Sequence, residues 1–161
     1  MALDVTKEHL REELATSRRN LRDWIKTLSA SDWTHPVYTH SEEWTALDVL
    51  RHLTWAEGGM ARLIQQIREG QEGAPSDFDL NRYNARGVQK LKDKTAAELM
   101  AMMAQNRAWL LQILDDLNEE ELQMKGRHGS LRIMSIEEVL QQIADHERQH
   151  LADLQQALNS S

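Results

Sequence analysis

The sequence predicts an all-α protein, a four-helix bundle in up-down-down-up order with a long crossover between the second and third helices. Three observations lead there. Apolar residues recur at helical rather than strand spacing in four segments, capping pairs stand at three of the four starts, and the connections are too long for a simple up-and-down bundle. The first segment runs from about Thr6 to Ser29, with Leu10, Leu14, Leu21, Trp24, Ile25 and Leu28 on one stripe. The second begins at Thr45, where Thr45 and Asp48 form an S/T-x-x-D/E box behind Trp44, and ends near Gly70. The third opens with Thr95 and Glu98 and carries its stripe to Leu117. The fourth opens with Ser135 and Glu138 and runs to Leu158.

About 15, 25 and 17 residues join these helices in turn, against the ~2–8 usual between bundle helices. The middle connection, Gly70 to Lys94, can cross the length of a ~35 Å helix and so lets the second and third helices run parallel. It is expected to hold a short helix near Arg82–Leu91, and the last connection to open on an Asn118/Glu121 cap and turn at Gly126 and Gly129. Strand-type alternation is almost absent. No repeat or linker interrupts the chain, so one domain over 1–161 is expected.

Composition narrows the function classes. With 26 acidic against 19 basic residues the formal charge is −7, which argues against a nucleic-acid partner, since phosphate backbones are bound by clustered Lys and Arg. No apolar run approaches the ~20 residues of a membrane span and no leader pattern opens the chain. No cysteine is present. That removes disulfides, thiolate ligands and a cysteine nucleophile, and makes a cytoplasmic protein the default. Any metal must be held by nitrogen and oxygen.

Seven histidines are present, and only His146 and His150 share an i, i+4 face. Val139, Ile143, His146, His150 and Leu154 continue one stripe, so the pair should point into the bundle. On the second helix Val49, His52, Ala56, Gly59 and Leu63 do the same for His52, with small residues beside it that leave room for a ligand. A lone inward histidine is usually a hydrogen-bonded core residue. Three unpartnered imidazoles in one interior cost of order 1–3 kcal/mol each, and convergence on a divalent metal removes that cost. His52 lies 7 residues after Thr45; the midpoint of the pair lies 10 before Leu158 and 13 after Ser135. Antiparallel second and fourth helices leave a mismatch of ~4.5 Å along the axis, parallel ones ~9 Å. The up-down-down-up order supplies the antiparallel pair.

His146-Glu147-Arg148-Gln149-His150 also fits the H-E-x-x-H pattern of zinc proteases. That reading is weak, because no His or Glu follows His150 to complete the ligand set. Glu147, ~80° from the centre of the histidine face, is either a solvated surface charge or a candidate catalytic base. Asp48 and Gln142 are candidate partners for ring N–H groups, though either could equally lie at the surface. Tyr83, Asn84 and Arg86 could line a mouth but read better as a polar loop helix. His35, His40 and His128 lie in loops, expected solvated, with His40 able to approach the site. Trp24, Trp33, Trp55 and Trp109, and Met100, Met102 and Met103, are expected in packing or dimer contacts.

Trp44 to Leu53, Phe78-Asp79-Leu80-Asn81 to Asn84, and Asp145-His146-Glu147-Arg148-Gln149-His150-Leu151 resemble the DinB-like superfamily over about residues 6–158. The resemblance implies a usually dimeric up-down-down-up bundle that binds zinc or nickel through three histidines, here His52, His146 and His150. Relatives include thiol-dependent S-transferases and the mycothiol-dependent maleylpyruvate isomerase. The expected function is therefore a metal-dependent transferase acting through a low-molecular-weight thiol on a small-molecule substrate. A non-catalytic metal-binding stress protein and a metal-water hydrolase are the alternatives.

Overall fold

The computed structural model of the chain describes residues 2–40 and 42–159. Four long helices carry it: α1 (Ala2–Ile25), α2 (Ala46–Arg68), α4 (Ala96–Asp116) and α6 (Ile136–Asn159), with shorter α3 (Leu80–Lys90) in the crossover and α5 (Glu119–Leu122) after α4. The caps do what their spacing promised. The Asp48 N–H donates to Thr45 Oγ1, the Glu98 N–H to Thr95 Oγ1 and the Glu138 N–H to Ser135 Oγ, satisfying donors the first turn leaves free. Helix α1 stops four residues earlier than expected. Ser29 instead leads a 3-10 turn (Ala30–Thr34), its N–H donating to Asp32.

Two short antiparallel pairs were not anticipated. Strand β1 (Pro36–Tyr38) pairs with β2 (Trp44–Thr45) before α2, and β3 (Lys125–Arg127) with β4 (Ile133–Ser135) before α6. Each is too short to show alternation. The second strand of each pair ends on the capping residue of the helix that follows, Thr45 before α2 and Ser135 before α6.

Cross-helix bonds give the directions. Between α1 and α4, Lys7 Nζ donates to the Asp115 carbonyl, Arg107 to that of Leu14 and Arg18 to that of Met103, an antiparallel series. Asn106 donates to the Thr54 carbonyl, Arg107 to Glu57 and Arg68 to the Asp116 carbonyl, so α2 and α4 are parallel. Gln141 donates to Glu13 and Arg18 to Glu147, so α1 and α6 are parallel. The order is up-down-down-up. Among the described residues no helix is long and apolar enough to cross a membrane.

The apolar core is split in two. One cluster gathers Leu14, Met60, Leu110 and Ala144 with their neighbours toward the hairpin of β3 and β4. The other gathers Leu21, Leu53, Met103 and Leu151, with Trp24, Trp33 and Trp55 and the methionines Met100 and Met102 packed on it. Trp109 does not pack in either cluster and is exposed, which excludes the core from its two expected roles. Between the clusters each long helix places one buried charge: Arg18, Glu57, Arg107 and Glu147.

Helix α3 docks closely on α2, most tightly at Gly87. A Cβ at Gly87 would lie 2.2 Å from the Trp55 ring, so only glycine fits there. Gly87→Ala gains up to ~1 kcal/mol of helix propensity but forces the ring aside, and overpacking of this kind costs ~1–3 kcal/mol. The clash should prevail: thermal melting of the variant is expected below wild type.

Candidate metal centre

Three helical turns decide the site. His52 lies near the start of α2, His146 and His150 one turn apart on α6, and the antiparallel packing of these helices brings the rings together. Their Nε2 atoms converge: His52 to His146 is 3.1 Å and His146 to His150 is 3.1 Å. All three candidate ligand atoms lie within 4.8 Å of one another. Nitrogens of a tetrahedral shell at ~2.05 Å from zinc stand about 3.3 Å apart, so the spacing fits a metal. It fits hydrogen bonding poorly, because His146 Nε2 has one proton or one lone pair and faces two equivalent neighbours. The cluster can therefore coordinate a metal ion.

Burial, reinforced by mutual proximity, keeps the imidazoles in the neutral form that metals bind. Burial first, then the charges of His146 and His150, lowers the His52 pKa to about 2. Burial likewise lowers His146 to about 3 and His150 to about 4. The buried Trp44 ring lies over His52 at 4.9 Å between centroids and walls the cluster on that side.

Tyr38, delivered by β1, orients His150. Its hydroxyl lies 2.8 Å from His150 Nδ1 and donates to Asp153. Burial first, then the bond to Asp153, raises the tyrosine pKa and holds the phenol protonated. With its proton directed at Asp153, the phenol oxygen accepts from Nδ1–H, which leaves the Nε2 lone pair free. Sequence reasoning passed over Tyr38 because it lies 112 residues from His150, in a connection without periodicity.

Two cavities meet at the cluster. One of about 480 Å³, with polar and apolar walls in near balance, is lined by Tyr38, His40, Glu42, Trp44 and Asn81 among others; a more apolar one of about 510 Å³ by Ala56, Leu63, Phe78, Tyr83 and Met134, among others. His52, His146 and Asn84 line both. Gly59 makes room as expected, but for a neighbour: a Cβ there would lie 2.5 Å from the Tyr83 hydroxyl. His40 reaches the site as the sequence allowed. Glu42, half-buried and with its pKa raised by burial, was missed.

Several expectations need correction. Glu147 is not a surface charge: it is 2% exposed, and its Oε2 accepts from Arg18 Nε at 3.1 Å and Nη2 at 3.0 Å, with Arg107 Nη2 at 3.5 Å. It appears in the lining of neither cavity. Arg18 Nη2 also donates to Glu57 at 2.8 Å and Arg107 Nε to Glu57 at 2.7 Å. The quartet is thus electrically neutral. Burial alone would lower the Arg18 pKa, but the two carboxylates outweigh it and hold the guanidinium above its ordinary value. Asp48 holds no histidine; it closes the Thr45 cap and pairs with Arg51 at 2.8 Å. His128 lines the larger cavity, and its Nδ1 accepts from the Ser130 N–H. His35 is half-buried beside Ala157. Gln142 and Tyr83 line the larger cavity, whereas Arg86 lines neither.

The model of the DinB superfamily matches residues 13–154. The chain belongs to this superfamily. YfiT from Bacillus subtilis, a probable metal-dependent hydrolase with an unusual four-helix bundle topology, superposes with a TM-score of 0.76 at 18% identity, over 96% of this chain and 86% of its own. The mycothiol-dependent maleylpyruvate isomerase superposes with a TM-score of 0.69 at 16% identity, over 96% of this chain and 61% of its own. A further four-helix bundle protein gives 0.67 at 20% identity, over 92% of this chain and 98% of its own. At these identities the likeness concerns the fold. No curated protein matches the sequence.

Two outcomes follow from the charges. In the unfolded chain each histidine takes up a proton near pH 6.5, while the folded cluster refuses it until about pH 4 to 2. The unfolded state thus binds more protons throughout that window, so stability is full above 6.5 and falls as pH falls. Urea midpoints of the metal-free protein should drop between pH 7 and 5, and less steeply in His52→Ala. Glu147→Gln keeps the side chain's shape but strips a charge from the quartet, an expected loss of about 3–5 kcal/mol. Metal content of the folded variant, measured at low temperature, should equal wild type.

Proposed function

We propose that the protein is a metal-dependent enzyme that activates a low-molecular-weight thiol and transfers it to an electrophilic small molecule. His52, His146 and His150 are the residues that would hold the metal, zinc or nickel. The observation that supports turnover over mere metal storage is the position of the cluster at the junction of two distinct cavities. A reaction between two different molecules needs two such approaches, and a storage site needs neither. When bound, the metal supplies Lewis acidity that favours thiolate over thiol near neutral pH. With no cysteine in the chain, the sulfur must come from outside.

The smaller cavity carries the groups that manage the proton. Glu42 has a pKa raised by burial, which makes its carboxylate a better proton acceptor near pH 7 than a solvated one. We assign it the role of base, and Glu147 that of a structural charge. His40 lines the same cavity. Tyr38 and Asp153 keep the His150 ring in one tautomer. We place the protein in the cytoplasm as a homodimer, the state its superfamily resemblance implies.

A hydrolase is the second reading, favoured by the name of the Bacillus subtilis structure; Glu42 would then act on water. Elemental analysis is expected to find about one divalent ion per chain, lost in His146→Ala. Bacillithiol, mycothiol, glutathione and coenzyme A, added singly to the metal-loaded protein, should include one that raises the melting temperature. That rise should vanish in His146→Ala. Glu42→Gln should keep its metal and lose a factor of ~10²–10⁴ in thiol-dependent turnover. Thiol-independent release of product from generic esters, with no thiol raising the melting temperature, would select the hydrolase instead.

A further inference from the structure

We propose that the larger cavity receives an anionic small molecule with an apolar body, its charged group held by Arg62 and Arg132 and its other end directed at the histidine cluster. Only the direction of the ligand rests on the reading of the cluster as the reacting centre. The binding itself rests on the charge of the walls.

The chain carries 26 acidic residues and a net charge of −7. Yet among the described residues that line this cavity there is no aspartate or glutamate, while Arg62 and Arg132 both stand there. Arg11, Arg18, Arg51, Arg68, Arg107 and Arg148 are all taken up by carboxylates. Among the described residues Arg62 and Arg132 are in no ion pair, a condition they share with Arg19, Arg22, Arg82, Arg86 and Arg127, but only these two line the cavity, and Glu138 acts on Arg132 only from beyond ion-pair distance. Arg62 has only a long approach, 3.4 Å, to the Tyr83 hydroxyl. Two guanidinium forks outside any ion pair on the wall of an apolar chamber, in a protein otherwise rich in carboxylates, are a local reversal of charge. Such forks fit carboxylate or phosphate oxygens with two parallel hydrogen bonds.

The remaining walls set the body of the ligand. Ala56, Leu63, Phe78, Leu80 and Met134 offer apolar surface, and about 510 Å³ is within the range of small-molecule sites. An aromatic or short acyl skeleton suits them. The smaller cavity has the opposite character, with Glu42 on its wall, so an anion entering there meets a carboxylate. The two cavities thereby sort their occupants by charge.

The test uses 2-naphthoate, 2-naphthyl phosphate and the neutral 2-naphthamide, titrated calorimetrically into metal-loaded and metal-free protein with no thiol present. One or both anions should bind at least ~10-fold tighter than the amide, weaken with added salt, and keep that preference without metal. Whichever anion binds tighter names the ligand's charged group. Arg62→Gln/Arg132→Gln alters two exposed residues, leaves the core intact, and should remove the preference while the amide still binds. Equal affinity for amide and anions overturns the proposal. So does a preference that survives in the double variant, or one that disappears with the metal, since the metal itself would then be the anion site. None of these readings depends on a thiol or on turnover, so failure of the transferase reading leaves the result standing.

Discussion

The buried quartet of Arg18, Glu57, Arg107 and Glu147 sets the register on which the histidine cluster depends. Apolar packing alone tolerates sliding of one helix along another, because one leucine layer resembles the next. A charge that must meet its partner does not. Arg18 Nη2 bridges Glu57 of α2 and Glu147 of α6, and Arg107 of α4 reaches the same two carboxylates. A slip of one turn, ~5.4 Å, would strand buried ions at a cost of several kcal/mol each. His52 stands five residues before Glu57 and His146 one before Glu147. The level that satisfies the charges is therefore the level at which the imidazoles meet.

This layer explains why each long helix changes core cluster where it does. Leu14 and Leu21 flank Arg18, Leu53 and Met60 flank Glu57, Met103 and Leu110 flank Arg107, Ile143 and Leu151 flank Glu147. In every case the charge occupies a stripe position that a leucine would otherwise fill. That pattern was open to inspection in the sequence: two arginines and two glutamates, one per helix, each at stripe spacing. Glu147 stands ~80° from the centre of the histidine face, and its surroundings are set by Arg18 and Arg107 on two other helices. An angle on a wheel cannot distinguish solvent from a buried partner.

What the sequence made legible was whatever its periodicity encoded. Thr45, Thr95 and Ser135 marked helix starts because a side-chain cap is a local device, complete within four residues. The order of the bundle followed from loop length and from the axial position of His52 against the 146/150 pair, both simple distances. The hairpins of β1 with β2 and of β3 with β4 are two to three residues per strand, too few for an alternation of period two to repeat. The residues they carry were hidden with them. Tyr38, Glu42, His128 and Arg132 reach the cavities from aperiodic segments, and no local pattern reports a contact made across 112 residues.

The same division of labour shapes the chemistry. Charges that hold the fold are neutralised within the quartet and lie on the walls of neither cavity. The cluster itself carries no charge near neutral pH, because burial drives all three histidines far below their ordinary range. An incoming cation therefore meets lone pairs rather than competing protons, and the free charges left around it belong to the approaches: Glu42 on one side, Arg62 and Arg132 on the other. A histidine cluster exposed to solvent would titrate near 6.5 and yield its metal to modest acid. Sinking the cluster beneath Trp44 removes that competition, while Tyr38 fixes the orientation of one ring, and three neutral nitrogens leave the full charge of a bound cation uncompensated.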